Sequence, residues 1–81
     1  MFLEIYTPDE KVFEGEVDAT TVPGIDGGLE FLNDHAPLIS PLGKGDLTYK
    51  VKKKQTSLTI EGGVVEVRNN KVIVLAESVE S

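Results

Sequence analysis

Apolar and polar residues alternate with a period of two along much of this chain. In "DLTYKVKKK", residues 46–54, Leu47, Tyr49 and Val51 fall on one face, with Thr48, Lys50, Lys52 and Lys54 on the other. In "EVDATTV", residues 16–22, Val17, Ala19 and Thr21 alternate in the same way with Glu16, Asp18 and Thr20. Such alternation marks strands with one face against a core. "KVIVLA", residues 71–76, is apolar on both faces and is expected to be a central strand. No window of eleven or more residues carries a 3.6-residue repeat, so no packed helix is expected. β-Branched residues crowd the strand candidates, as a pleated surface favours.

Turn signals set the boundaries. "TPDEK" joins residues 2–7 to 11–14, and "PGIDGG" closes the strand at 16–22. "PLGKGD" precedes a strand at 46–53, and "EGG" separates 56–60 from 64–68. "RNNK" is expected to be a tight hairpin, because asparagine tolerates the left-handed region. Many short strands at this spacing predict an all-β protein, a small antiparallel β-sandwich of about ten short strands. With 81 residues and no internal repeat or linker, residues 1–81 read as a single domain.

Composition then narrows the chemistry. There is no cysteine, hence no disulfide and no thiolate zinc site, and one histidine cannot build a His-rich metal site. No cofactor is expected. The net charge of −6 opposes non-specific nucleic-acid binding, which depends on neutralising phosphates, and suits a basic partner. The apolar runs fall far short of the ~20 residues of a membrane span. "MFLEIYTPDE" has neither the basic region nor the apolar segment of a secretory signal. The expectation is a protein that stays on the side of the membrane where it is made.

The candidate catalytic groups are few. His35 follows Asp34, but neighbours on an extended segment point to opposite faces, and a triad also needs a nucleophile. Ser40 is the nearest hydroxyl and lies between Pro37 and Pro41, without a nucleophile elbow. His35 is therefore expected to hydrogen-bond its loop or to meet a partner. "GIDGG" (24–28) lacks dinucleotide-fingerprint spacing and a following helix, and "GKG" (43–45) lacks the rest of a P-loop, so both read as turns. "KVKKK" (50–54) is the only basic cluster, and is read as protection of a sheet edge in preference to a nucleic-acid or lipid patch. From the residues alone, the expectation is a small acidic β-sandwich without visible catalytic apparatus, which points to an interaction module and does not name its partner.

Five segments in order, "TPDEKVFEGEV", "VPGIDGG", "NDHAPLISPLGKG", "EGGVVEV" and "KVIVLAE", resemble the N-terminal β-sandwich domain of the epsilon subunit of F-type ATP synthases, the mitochondrial delta equivalent. The resemblance runs from about Leu3 to Glu77. It implies a non-catalytic subunit of the rotating central stalk, bound to the gamma subunit on one side and to the ring of c subunits on the other. It also implies a peripheral position on the cytoplasmic, stromal or matrix face of the energy-coupling membrane. By position in the family pattern, Asp26, Gly27, Gly28, Glu30, Asp34 and His35 are candidates for contact with the c ring. Thr7, Ser40 and Ala76 are candidates for contact with gamma. The acids are expected to form a rim of ion pairs with basic residues of the ring.

The chain also departs from the pattern. Glu30 stands where the family often has glycine, and Asn33 where it often has proline. The C-terminal helical hairpin of typical bacterial and chloroplast members, which can inhibit ATP hydrolysis, does not follow residue 81. The expectation is a naturally short subunit. The alternative reading is a biotinyl or lipoyl carrier domain with its modified lysine at Lys11 or Lys71, although the usual flanking residues of such a lysine are absent.

Overall fold

The computed structural model describes residues 1–80, and in them every regular element is a strand. The strands are β1 (Phe2–Tyr6), β2 (Lys11–Glu16), β3 (Ala19–Gly24), β4 (Gly27–Leu32), β5 (Leu38–Val51), β6 (Lys54–Arg68), β7 (Lys71–Ala76) and β8 (Val79–Glu80). They form one continuous sheet in the order β2-β1-β7-β6-β5-β3-β4, with β8 paired to β6. Pairing is antiparallel except between β1 and β7, which run parallel.

The sheet becomes two layers because β5 and β6 turn a corner together. The C-terminal half of β6, from Gly63 to Arg68, pairs with β7, and its earlier residues Thr59 and Ile60 pair with β8. β5 pairs with β6 throughout, and its residues Thr48–Lys50 pair with β3. The β5–β6 register is constant from end to end, and only Gly43 and Gly62 are left unpaired within it, between Leu42↔Gly63 and Lys44↔Glu61, at the bend. Glycine permits it: Gly62 and Gly63 have φ of 79° and 131°. A Cβ on Gly63 would stand 2.9 Å from the Ala76 Cα and closer still to the Leu75 carbonyl oxygen.

The expected count of about ten short strands becomes eight, two of them long. "PLGKGD" and "EGG" look like turns, yet they are bends inside β5 and β6, where glycine lets the ladder kink without ending. The expected strand at 16–22 also divides. β2 stops at Glu16, the chain turns through Val17 and Asp18, and β3 begins with the opposite parity, so Thr20 and Val22 face inward instead of Ala19 and Thr21. Thr20 is tolerated there because its hydroxyl donates to the Thr48 carbonyl at 2.7 Å. β4 and the first half of β5 lie where sequence patterning marked no strand. The "RNNK" hairpin forms as expected, with Asn69 and Asn70 at φ 54° and 59°.

The core lies between the layers. Leu3 and Ile5 of β1, Val65 and Val67 of β6, and Val72 and Val74 of β7 fill one inner face, against Val22, Phe31, Leu47 and Ile60 of the other. Burying side chains of this kind stabilises the fold by about 1.5–3 kcal/mol each. Phe13 of β2 stacks on Tyr49 of β5 at 4.1 Å and closes one open side.

Candidate functional site

Among the described residues no cluster of His, Cys, Asp or Glu could hold a metal ion. No helix is long and apolar enough to cross a membrane. What the surface offers is contact area, and two regions stand out.

The first is the outward face of the layer made by β1, β7, β6 and β5. Residues opposite each other in a ladder point to the same side. One row across this face is Tyr6, Leu75, Val64 and Pro41, and the next is Glu4, Ile73, Glu66 and Ile39. Ile39 is 69% exposed and Leu75 50% exposed. Ile25, 63% exposed, joins the strip through its backbone N–H, which donates to the Pro41 carbonyl at 3.2 Å. Single exposed apolar residues are ordinary, but a continuous strip across four strands marks a place where something docks.

Within this face Glu4 is nearly covered. Its carboxylate accepts from the Lys71 ammonium at 2.9 Å and from the Tyr6 hydroxyl at 2.5 Å. The Lys71 hydrogen bond first, and the Tyr6 one after it, hold the carboxyl below the usual carboxylate range. The same bonds raise the Tyr6 hydroxyl and the Lys71 ammonium. This network, with Glu66 farther along the same row, places charge beside the apolar strip and fixes the side chains around Glu4.

The second region is the free edge of β4. The β3–β4 turn presents Asp26, Gly27 and Gly28. Glu30 and Leu32 then point outward along the strand, while Phe31 is buried. Asp34 and His35 follow in the loop. The six residues of β4 span roughly 17 Å at about 3.3 Å each. The six candidates for ring contact therefore do not gather at one point. Asp26, Gly27 and Gly28 sit at one end of the edge, Asp34 and His35 beyond the other, and Glu30 between them.

His35 is exposed. Its Nδ1 donates to the Ala36 carbonyl at 2.7 Å, and its ring meets Phe31 edge-on at 4.9 Å. Asp34, at φ 63°, is held by its backbone N–H donating to Asn70 Oδ1 at 2.8 Å. The loop is thus tied to the β6–β7 hairpin, and His35 bonds its loop backbone as expected.

Of the three candidates for the gamma side, Thr7 lies beside the apolar strip, Ala76 points inward, and Ser40, which alternates with Ile39 and Pro41, faces away from it. Thr7 and Ala76 line one groove with Tyr6, Pro8, Leu75 and Glu77. Ser40 adjoins Pro41 at the other end and shares a depression with Asp26, Gly27 and Gly28. Ala76 itself is buried, so Leu75 beside it supplies the contact surface. The strip residues Ile39, Val64, Ile73 and Leu75 escaped sequence reading. For Ile73 and Leu75 the signal was the two-faced apolar pattern of "KVIVLA": β7 is central, but its outward face has no covering layer.

Neither lysine of the carrier reading is presented at a hairpin tip without a partner. Lys11 pairs with Glu14, and Lys71 with Glu4.

Comparison with known proteins agrees with the fold. The family model described as ATP synthase, Delta/Epsilon chain, beta-sandwich domain, matches residues 1–81. The ATP synthase epsilon chain of Dehalococcoides mccartyi strain CBDB1 is 44% identical over 78 residues, covering 96% of this chain and 56% of that protein. The epsilon chain of Maridesulfovibrio salexigens is 44% identical over 80 residues, covering 99% and 56%. The chain thus spans a little over half the length of these curated relatives. Among solved structures, a chain of the Euglena gracilis mitochondrial ATP synthase (OSCP/F1/c-ring) matches with a TM-score of 0.89 at 24% identity, covering 95% of this chain and 50% of that one. A chain of the Tetrahymena thermophila mitochondrial ATP synthase central stalk and c ring matches with a TM-score of 0.80 at 20% identity, covering 96% and 63%. These two likenesses support the fold.

Proposed function

The chain belongs to the family of ATP synthase delta and epsilon β-sandwich domains, and from that premise we propose that it is a non-catalytic rotor piece of an F-type ATP synthase. The observation that carries the proposal is the family match over residues 1–81. The function is mechanical: to fasten the gamma shaft to the c ring, so that ion-driven rotation reaches the catalytic sites. Its place is peripheral, on the membrane face that bears the catalytic head.

The two surfaces fit the two attachments. The apolar strip from Tyr6 to Pro41, with Ile39, Val64 and Leu75 as anchors, suits gamma, because burial of apolar side chains supplies affinity without reactivity. The β4 edge, with Asp26, Glu30 and Asp34, suits basic residues on the loops of the c ring. Exposed ion pairs contribute roughly 0.2–1 kcal/mol each, so the edge guides and registers while apolar contact holds.

Co-purification tests the proposal. The chain is expected to coelute with recombinant gamma, and then with the c ring. Failure to bind gamma in either context overturns the rotor reading. Reversing Asp26 and Asp34 to lysine, singly and together, tests the edge. Weaker ring attachment is expected at low salt, and unchanged attachment of all three variants overturns the ring assignment.

A further inference from the structure

Half of the eight cationic side chains lie within five residues, at Lys50, Lys52, Lys53 and Lys54. Set apart from the net charge of −6, these four positive charges leave ten net negative ones on the rest of the molecule. All four lysines are exposed, and among the described residues none of them forms an ion pair.

Edge protection, the reading suggested by the sequence, accounts for one of them. Lys54 lies on the stretch of β6 that pairs only with β5. Lys50 is flanked on both sides, by Ala19 and Gln55. Lys52 and Lys53 form the two-residue turn between Val51 and Lys54 and belong to no strand.

The turn adds a second, independent observation. Lys52 has φ 56° and Lys53 does not share the positive sign. A two-residue hairpin with positive φ only at its first central position is where glycine is favoured. The β6–β7 hairpin meets its own requirement with two asparagines, which tolerate that region. Here a lysine is kept in the strained position. Its backbone is also clamped: Lys52 N–H donates to Asp18 Oδ2 at 2.6 Å, and Asp18 N–H to the Lys50 carbonyl at 2.7 Å. A non-glycine residue held in strain at an exposed turn points to a use for its side chain.

We propose that the β5–β6 hairpin tip is a docking site for an acidic peptide segment of a protein partner. The shape of the charge distribution selects this occupant. The molecule measures only 26 × 24 × 21 Å, within a few Debye lengths of about 8 Å at physiological salt. A flat anionic membrane or a long nucleic acid would therefore also meet the ten net negative charges behind the tip. A short acidic segment engages the lysines and meets one acid at the tip, Asp18, whose carboxylate already accepts from the Lys52 N–H. Val51, 41% exposed, is the only apolar group at the tip, and no aromatic is exposed there to insert into a bilayer or stack on bases.

The test uses the isolated chain and a capped peptide of eight glutamates as probe, so its failure leaves the rotor reading untouched. Amide shifts are expected at Asp18 and residues 49–56, with affinity weakening about tenfold between 20 and 200 mM salt, as a multi-charge contact does. The double variant Lys52→Asn, Lys53→Gln is expected to bind about fivefold more weakly, a loss of about 1 kcal/mol. Lys52→Asn alone is expected to melt higher than the parent while binding less peptide. Shifts mapping elsewhere, or undiminished binding by the double variant, overturn the proposal. So does preference for vesicles containing phosphatidylserine over the peptide.

Discussion

At the scale of single residues, Glu4 and Gly63 show where position outweighs type. Glu4 is a nearly covered acid beside Tyr6, Ile73 and Leu75, and it stays there because Lys71 and Tyr6 satisfy it. Its carboxyl is more acidic folded than unfolded. The associated stability is complete above the unfolded value of about 4.3 and fades as pH falls through the folded value. Lys71 and Tyr6 shift upward, so their contribution is complete below their unfolded values of about 10 and fades at more alkaline pH. Glu4→Gln is expected to flatten the acid limb of a melting-temperature profile between about pH 5 and 3. A limb as steep as the parent's would show that another group governs it. Gly63 is a backbone requirement instead. Gly63→Ala combines a φ of 131° with a clash against β7. It is expected to lose more than about 3 kcal/mol in urea unfolding, while Gly43→Ala, whose Cβ meets only ordinary contacts, stays within about 1 kcal/mol.

At the scale of elements, legibility in the sequence followed how local the cause was. The paired asparagines at 69 and 70 act within a few residues and form the expected hairpin, whereas the alternation of Leu47 and Tyr49 holds only to Val51, because Lys52 and Lys53 turn the chain and Lys54 opens β6 where the pattern continues a single strand. The corner at Gly43–Gly45 and Gly62–Gly63 was read as two turns, because a glycine that ends a strand and one that bends it look alike until the partner strand is known. The β4 edge was invisible, since Glu30, Leu32 and Asn33 mask the inward pair Leu29 and Phe31. The resemblance pointed to Thr7, beside one end of the apolar strip, and to Ser40, which faces away from it, and did not reach the strip itself. Ile39, Val64 and Leu75 come from three strands that only tertiary pairing makes adjacent. The strip gives a direct prediction. Ile39→Ser and Leu75→Ser together are expected to change stability by no more than about 1 kcal/mol, because both side chains are exposed. They are expected to weaken gamma binding by about 2 kcal/mol, as loss of interface anchors does. Calorimetric titration with gamma measures this, and unchanged affinity would move the gamma contact off this face.

At the scale of the whole molecule, continuity of β5 and β6 decides how the fold yields. Each runs through both layers, so neither layer can separate without breaking strands the other depends on. The parallel β1–β7 pair ties the first strand to nearly the last, which leaves no sequence-local half able to persist alone. Dense, cross-connected packing of this kind transmits strain with little give, as the proposed rotor role would require. The two tyrosines probe different places: Tyr6 the outward face of β1, and Tyr49 of β5, stacked on Phe13 of β2, the contact between the layers. Tyr49→Phe leaves Tyr6 as the only tyrosine, and Tyr6→Phe leaves Tyr49; there is no tryptophan. In each variant, tyrosine fluorescence and far-ultraviolet circular dichroism are expected to melt at the same temperature, as a single cooperative unit does. Layers that open separately would split those transitions by several degrees in at least one variant. That result would mean the sandwich slips between its sheets under load, and would remove the physical basis for assigning it a torque-bearing role.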